Sequence, residues 1–308
     1  MDRQTTDTIM MVRPINFGFN NETARSNAFQ SKNSNEDAQA IAKRAIEEFD
    51  NFVLQLKELG VKVVVMHETH HDASPDAIFP NNWISFHSNG TLITYPMLSP
   101  IRRTERREDY IESIALLHDI KYRYSFEFYE EEDKFLEGTG SMILDRENKI
   151  AYACLSPRTN IFLLDKFCLL MGYQLVSFNA VDKTGKDIYH TNVIMALGDK
   201  YCVLCTECIK DEDQRKSVLS SLKRTNKRLI DISLEQVYHF AGNMLQVRSR
   251  EGKPYLILSQ QAYDALTPEQ IGTLSEYNPL IPIPIPTIER YGGGSVRCMM
   301  AEVFLPTV

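Results

Sequence analysis

Four stretches of the chain each place two apolar runs on either side of a short polar turn. They are Trp83 to Met97 around Ser88-Asn89-Gly90, Ser141 to Leu155 around Arg146-Glu147-Asn148, Asn192 to Thr206 around Gly198-Asp199-Lys200, and Asn243 to Ser259 around Glu251-Gly252-Lys253. This is the pattern of β-hairpins. Their starts are separated by 58, 51 and 51 residues. Amphipathic helical segments are predicted near 36–59, 105–120, 159–172, 211–224 and 260–274. Each leads into a short strand, near 61–66, 124–129, 173–178, 228–232 and 279–285. A fifth hairpin has only Val296 to Leu305, and Thr8 to Pro14 at the other end of the chain can supply its missing strand. One supersecondary unit of about 60 residues, recurring at even spacing, is the mark of a repeat architecture. The expectation is an α/β fold of five units about a pseudo-fivefold axis; an irregular α/β domain with chance regularity is the competing reading. Pro279, Pro282, Pro284 and Pro286 interrupt any strand in the weakest unit. No linker divides the chain, so residues 1–308 are expected to form a single domain.

Composition narrows the function. The chain is long enough to bury a sizeable core, and its 43% hydrophobic and 24% charged residues are ordinary for a globular protein. A net charge of -7 argues against nucleic acid or an anionic membrane as the main partner. No apolar run reaches the ~20 residues of a membrane span, and the first fourteen residues lack the basic and apolar regions of a signal peptide. Six cysteines without a small-secreted-domain pattern point to reduced thiols and a cytoplasmic setting. Homo-oligomerisation is left open.

The chemistry-bearing residues fall at one position of the repeat. Just ahead of the hairpins lie Phe79-Pro-Asn-Asn82, Glu137-Gly-Thr-Gly140, His190-Thr-Asn192, Ala241-Gly-Asn243 and Gly292-Gly-Gly-Ser-Val-Arg-Cys298. Equivalent points of a closed ring converge on its axis, so these stretches are expected to line one pocket. A Cys, a His and a Glu meeting there make a nucleophile, a proton shuttle and an orienting carboxylate.

On these motifs the sequence resembles the guanidino-group-modifying enzymes: arginine deiminases, amidinotransferases and dimethylarginine hydrolases. Leu136-Glu-Gly-Thr-Gly140 is similar to the family's acidic Glu/Asp-Gly-Gly-Asp motif, His190-Thr-Asn192 to its His-x-Asp, and Gly292 to Cys298 to its glycine-rich approach to the catalytic cysteine. Ser156-Pro-Arg-Thr-Asn160 matches a stretch whose arginine grips the substrate carboxylate. Met11-Val-Arg-Pro14, Asn21-Glu-Thr-Ala24 and Phe79-Pro-Asn-Asn-Trp83 look more specifically like the citrulline-utilising hydrolase branch. The resemblance implies a five-bladed α/β propeller (pentein). It also implies Cys298, His190 and Glu137 as catalytic residues, Asn82, Asn192, Arg158 and Asn243 as substrate-binding ones, a small amino-acid substrate, and neither cofactor nor metal.

Three positions depart from the arginine deiminases. Asn82 and Asn192 stand where those enzymes hold the guanidinium with aspartates, and Gly140 replaces the last Asp of the acidic motif. A guanidinium presents only donors and a fixed positive charge, and so calls for anionic acceptors. An amide offers both donors and an acceptor, which suits a neutral ureido group. The expected substrate is citrulline, cleaved to ornithine, carbon dioxide and ammonia. Cys298 attacks, Asn82 or Asn192 stabilises the oxyanion, and His190 protonates the leaving nitrogen. Glu137 holds His190 or accepts from the substrate, and Arg158 pairs with the α-carboxylate. A neutral substrate brings no cation to activate the thiol, so either a Cys298⁻/His190⁺ ion pair or activation on substrate binding is expected. Arginine hydrolysis, amidino transfer and a non-catalytic binding module are the alternatives.

Other runs read as structural. His67-Glu-Thr-His-His71 matches a zinc-protease pattern but follows a strand rather than sitting on a helix. Cys202, Cys205 and Cys208 lie in and after a hairpin strand with no fourth ligand nearby, and Cys154 and Cys168 read as core. The run Arg102-Arg103 to Arg106-Arg107 alternates with acids, which reads as a solvated face. Asn20, Asn21, Arg25 and Asn27 form either a lid or an ordinary loop.

Overall fold

The computed structural model describes residues 3–25, 27, 29–31, 36–69 and 74–308. Among them are five three-stranded sheets built to one plan. In each, a hairpin pairs antiparallel, and its second strand then pairs in parallel with a third that returns after a helical crossover. The sheets are Ile84–Phe86, Thr91–Thr94 and Tyr122–Ser125; Ile143–Asp145, Ile150–Cys154 and Gln174–Phe178; Met195–Leu197, Tyr201–Leu204 and Arg228–Asp231; and Leu245–Arg248, Pro254–Ser259 and Leu280–Ile283. The last is closed by the two ends of the chain: Ala301–Glu302 pairs antiparallel with Thr8–Arg13, which pairs in parallel with Lys62–His67. Parallel neighbours need such a crossover because a tight turn reverses the strand.

Burial runs in one direction across each sheet. The first hairpin strands Ile84–Phe86, Ile143–Asp145 and Met195–Leu197 are buried throughout, whereas the third strand Tyr122–Ser125 is exposed throughout. The helices cover the sheets with one apolar face. In Ala38–Glu58 that face is Ile41, Ala45, Phe49, Phe52 and Leu56, spaced three or four apart. Asp37 opens this helix by accepting the N–H of Ala40.

Two elements differ from the sequence expectation, and a third forms despite its prolines. The strand expected near 124–129 is Tyr122–Ser125, and Glu127–Glu132 is a 3₁₀ turn with no buried residue. The helix expected over 260–274 is two, Gln260–Ala265 and Pro268–Ser275. Thr267 and Gln270 form a capping box, and Pro268 sits where a first-turn N–H goes unused. The proline-rich segment does form the strand Leu280–Ile283, with Pro282 opposite Leu258. As the outer strand of its sheet it has one unpaired side, where a proline nitrogen interrupts no ladder.

Ahead of each hairpin the chain makes the same tight turn, with an N–H bonded to the carbonyl three residues earlier. The pairs are Asn82 to Phe79, Gly140 to Glu137, Val193 to His190, Asn243 to Phe240 and Cys298 to Ser295. Among the described residues no helix is long and apolar enough to cross a membrane.

Candidate active site

The five turns bring their polar side chains together. Asn82, Arg158, His190 and Cys298 line a narrow cavity, together with Asp76, Phe79, Arg102, Tyr189 and the carbonyl-rich Gly292–Gly294. Glu137, Asn192 and Asn243 stand behind this lining and touch it. All seven residues singled out from the sequence are therefore in one place, in two layers.

Cys298 holds its sulfur against two amides. Asn243 Nδ2 approaches Sγ at 3.2 Å and Asn192 Nδ2 at 3.4 Å. Asn243 also donates to the Asn192 carbonyl and accepts the N–H of Arg297, so it is fixed at both ends. Asn243, expected to bind substrate, is thus placed on the cysteine.

His190 is buried, with Nε2 2.8 Å from Glu137 Oε2. Arg158 lies 3.4 Å and Arg102 3.9 Å from the same carboxylate oxygen. Although burial opposes ionisation, these cations and the His190 bond hold Glu137 well below the usual carboxylate range. Burial outweighs the carboxylate for the imidazole and pushes it down to about 4. A neutral imidazole that donates Nε2–H to Glu137 leaves Nδ1 as its acceptor. The resting Cys298⁻/His190⁺ ion pair expected from the sequence is not what this environment favours.

Two glycines make the site's close approach feasible. A Cβ on Gly140 would lie 2.3 Å from Asn82 Nδ2 and 3.0 Å from the His190 ring. Gly138 has φ of +48°, and its Cβ would meet the Asn81 carbonyl oxygen at 2.4 Å. The Gly140 that departs from the acidic motif therefore gives room to the Asn82 amide.

Arg102 and Asp76 escaped the sequence reading. Arg102 is buried, not solvated: it forks onto Glu105 at 2.8 and 2.9 Å and donates to Asn82 Oδ1 at 3.0 Å. That bond fixes the Asn82 amide with Nδ2 turned away, and among the described residues this buried nitrogen has no partner. Asn192 Oδ1 and Asp76 Oδ1 are likewise buried and unpartnered. The other Asp76 oxygen takes Asn20 Nδ2 at 2.8 Å and Thr23 Oγ1 at 3.1 Å. Thr23 and Asn27 also line the cavity, and Asn27 Nδ2 reaches the carbonyls of Gly292 and Gly293 at 3.3 Å.

The look-alike motifs lie elsewhere. His67 ends a strand and Glu68 pairs with Arg107 at 3.0 Å, while His70 and His71 fall outside the described residues. Cys205 and Cys208 are free, buried thiols 3.1 Å apart, and Cys202 is buried in its strand.

No curated protein sequence matches the chain. Among solved structures it is similar to apo ArgZ, an arginine dihydrolase from the ornithine-ammonia cycle in cyanobacteria, with a TM-score of 0.75 at 16% identity. The match covers 98% of this chain but 41% of ArgZ, so the chain spans less than half of that protein. Against the N-terminal domain of ArgZ bound to substrate, it covers 97% of this chain and 98% of that one, with a TM-score of 0.72 at 15% identity. A dimethylarginine dimethylaminohydrolase carrying an S-methyl-L-thiocitrulline adduct matches over 97% of this chain and 99% of its own, with a TM-score of 0.60 at 14% identity. The family model for eukaryotic N,N dimethylarginine dimethylhydrolase matches residues 13–305, and the chain belongs to that family.

Proposed function

We propose that the protein hydrolyses citrulline to ornithine, carbon dioxide and ammonia, with Cys298 as nucleophile, in a five-bladed propeller whose axis passes through the cavity. The observation that carries this reading is a pair of orphaned buried amide atoms: a donor, Asn82 Nδ2, on a residue of the cavity wall, and an acceptor, Asn192 Oδ1, on the amide whose nitrogen touches the sulfur. A ureido group offers the complement, an oxygen to accept from Asn82 and an NH₂ to donate to Asn192. A guanidinium has no acceptor and would leave the Asn82 donor unmet, at a cost of about 1–3 kcal/mol.

The chemistry follows in two half-reactions. The Cys298 thiol passes its proton to His190 Nδ1 as sulfur attacks the ureido carbon, and Asn82 Nδ2 donates to the resulting oxyanion. Glu137 orients the imidazole and stabilises its cationic form. The imidazolium returns the proton to the leaving Nδ, which departs as the ornithine amine and leaves a carbamoyl group on sulfur. Water, deprotonated by His190, adds to that carbon. Collapse expels the Cys298 thiolate and releases carbamate, which decays to ammonia and carbon dioxide. Arg158 pairs with the α-carboxylate, and the unpartnered Asp76 Oδ1 takes the α-ammonium.

A second reading, arginine as substrate, is favoured by the same Asp76 carboxylate if it instead compensates a guanidinium. A mass-spectrometric product assay with citrulline and arginine in parallel, against Cys298→Ala, separates the two. Ornithine from citrulline, lost in the variant, is the expected result. Turnover of arginine alone would overturn the selection of a ureido group, and activity surviving in the variant would overturn the mechanism.

A further inference from the structure

Cys298 is carried by the loop that leaves the helix Pro286–Gly292, and a side chain of that helix holds the loop. Glu289 Oε1 accepts from Ser295 Oγ at 2.6 Å. The carbonyl of Ser295 accepts the Cys298 N–H at 3.0 Å, and the Gly293 N–H returns to the Glu289 carbonyl at 2.9 Å. One carboxyl, 2% exposed, therefore ties the nucleophile's loop to the helix Pro286–Gly292. It also forms part of a surface groove lined by Glu235, Gln236, His239, Asp264 and Pro284. None of those residues lines the substrate cavity.

We propose that Glu289 is a positioning residue for Cys298. It holds the 292–298 loop so that the sulfur stays against the amides of Asn192 and Asn243. The inference rests on the reading of Cys298 as nucleophile, and nothing in it depends on which substrate is cleaved. Burial, with Glu48 nearby, pushes the Glu289 carboxyl up to about 7. The charged and titratable groups that face it are Glu48 from the helix Ala38–Glu58, Glu235 and His239 from across the groove, and Asp264 from Gln260–Ala265. Proton exchange through the groove would then reach the loop without passing the substrate.

The test compares Glu289→Ala, Ser295→Ala, the double variant and Glu289→Gln. Two rates are followed across neutral pH: alkylation of Cys298 by iodoacetamide, mapped by mass spectrometry, and turnover. Removing either partner is expected to slow both by about tenfold to a hundredfold with KM nearly unchanged, as small misplacements of a nucleophile do. The double variant should be no slower than either single one. Glu289→Gln keeps an acceptor for Ser295, so it should retain the rate and lose a titration step near 7. Unchanged alkylation in folded Glu289→Ala, additive losses in the double variant, or a Glu289→Gln enzyme as slow as Glu289→Ala would each overturn the proposal. If Glu289→Ala does not fold, Ser295→Ala and Glu289→Gln decide it alone. Alkylation needs no substrate, so a wrong substrate leaves the test intact. A Cys298→Ala enzyme that stays active would instead defeat the reading on which the proposal rests.

Discussion

Gly138 and Gly140 stand two residues apart in one turn, yet a methyl group at each should do different harm. At Gly138 it meets a backbone oxygen at 2.4 Å in a left-handed conformation, and backbone cannot step aside. Gly138→Ala should cost about 1–3 kcal/mol of stability, read as a lowered urea midpoint. At Gly140 it meets the Asn82 amide and the His190 ring, which can shift by losing their alignment. Gly140→Ala should therefore fold with a near-normal midpoint and lose most of its turnover. Asn82→Asp replaces the free donor by an acceptor and adds charge beside Arg102. The ratio of kcat/KM for citrulline over arginine should fall by about tenfold or more, measured with both substrates on one preparation; an unchanged ratio would remove Asn82 from substrate selection. Asn82 itself was legible because it precedes a hairpin, at the same repeat position as His190 and Asn243. Arg102 was not. Its neighbours alternate in charge as a solvated face does, and only the 3₁₀ turn Pro100–Glu105 folds it inward onto Glu105 and Asn82. Asp76 lies in no repeated position, so nothing in the spacing marks it.

At the scale of elements, what could be read was whatever had an apolar side to bury. The helix Ala38–Glu58 and the hairpins have one, and were anticipated to within a few residues. Tyr122–Ser125 has none, being exposed along its length, and it was misplaced. The split at Thr267-Pro268 was written in the chain as a cap followed by a proline, but the apolar spacing runs across it and hid the break. Caps also supply a test of stability apart from catalysis. Asp211 accepts the N–H groups of both Asp213 and Gln214 at the start of Glu212–Arg224, a helix that contributes no residue to the cavity lining. Asp211→Ala should cost about 1 kcal/mol, seen as a lower thermal midpoint with kcat unchanged. A fall in kcat without loss of stability would mean that this outer helix does act on the site.

For the whole molecule, the site's buried groups set opposing pH dependences. His190 titrates at about 4 against an ordinary 6.5, so protonation is penalised in the folded state. Its contribution is complete above 6.5 and is lost as pH falls towards 4. Glu137, held below its ordinary 4.5, adds a loss in the same direction at lower pH. Glu289 works the other way: raised from 4.5 to about 7, it favours folding most below 4.5, and that contribution disappears as pH rises through 7. The His190 and Glu289 contributions run in opposite directions over nearly the same range, so stability should be almost level between about 4.5 and 6.5 and fall below it, where Glu137 adds to His190. Removing either group should expose the other: urea midpoints across this range should rise with pH in Glu289→Gln and fall with pH in His190→Gln. If the midpoint stays level in Glu289→Gln, the carboxyl is not the group that titrates there. The loop carrying Cys298 would then be held by a bond that neutral pH leaves unchanged.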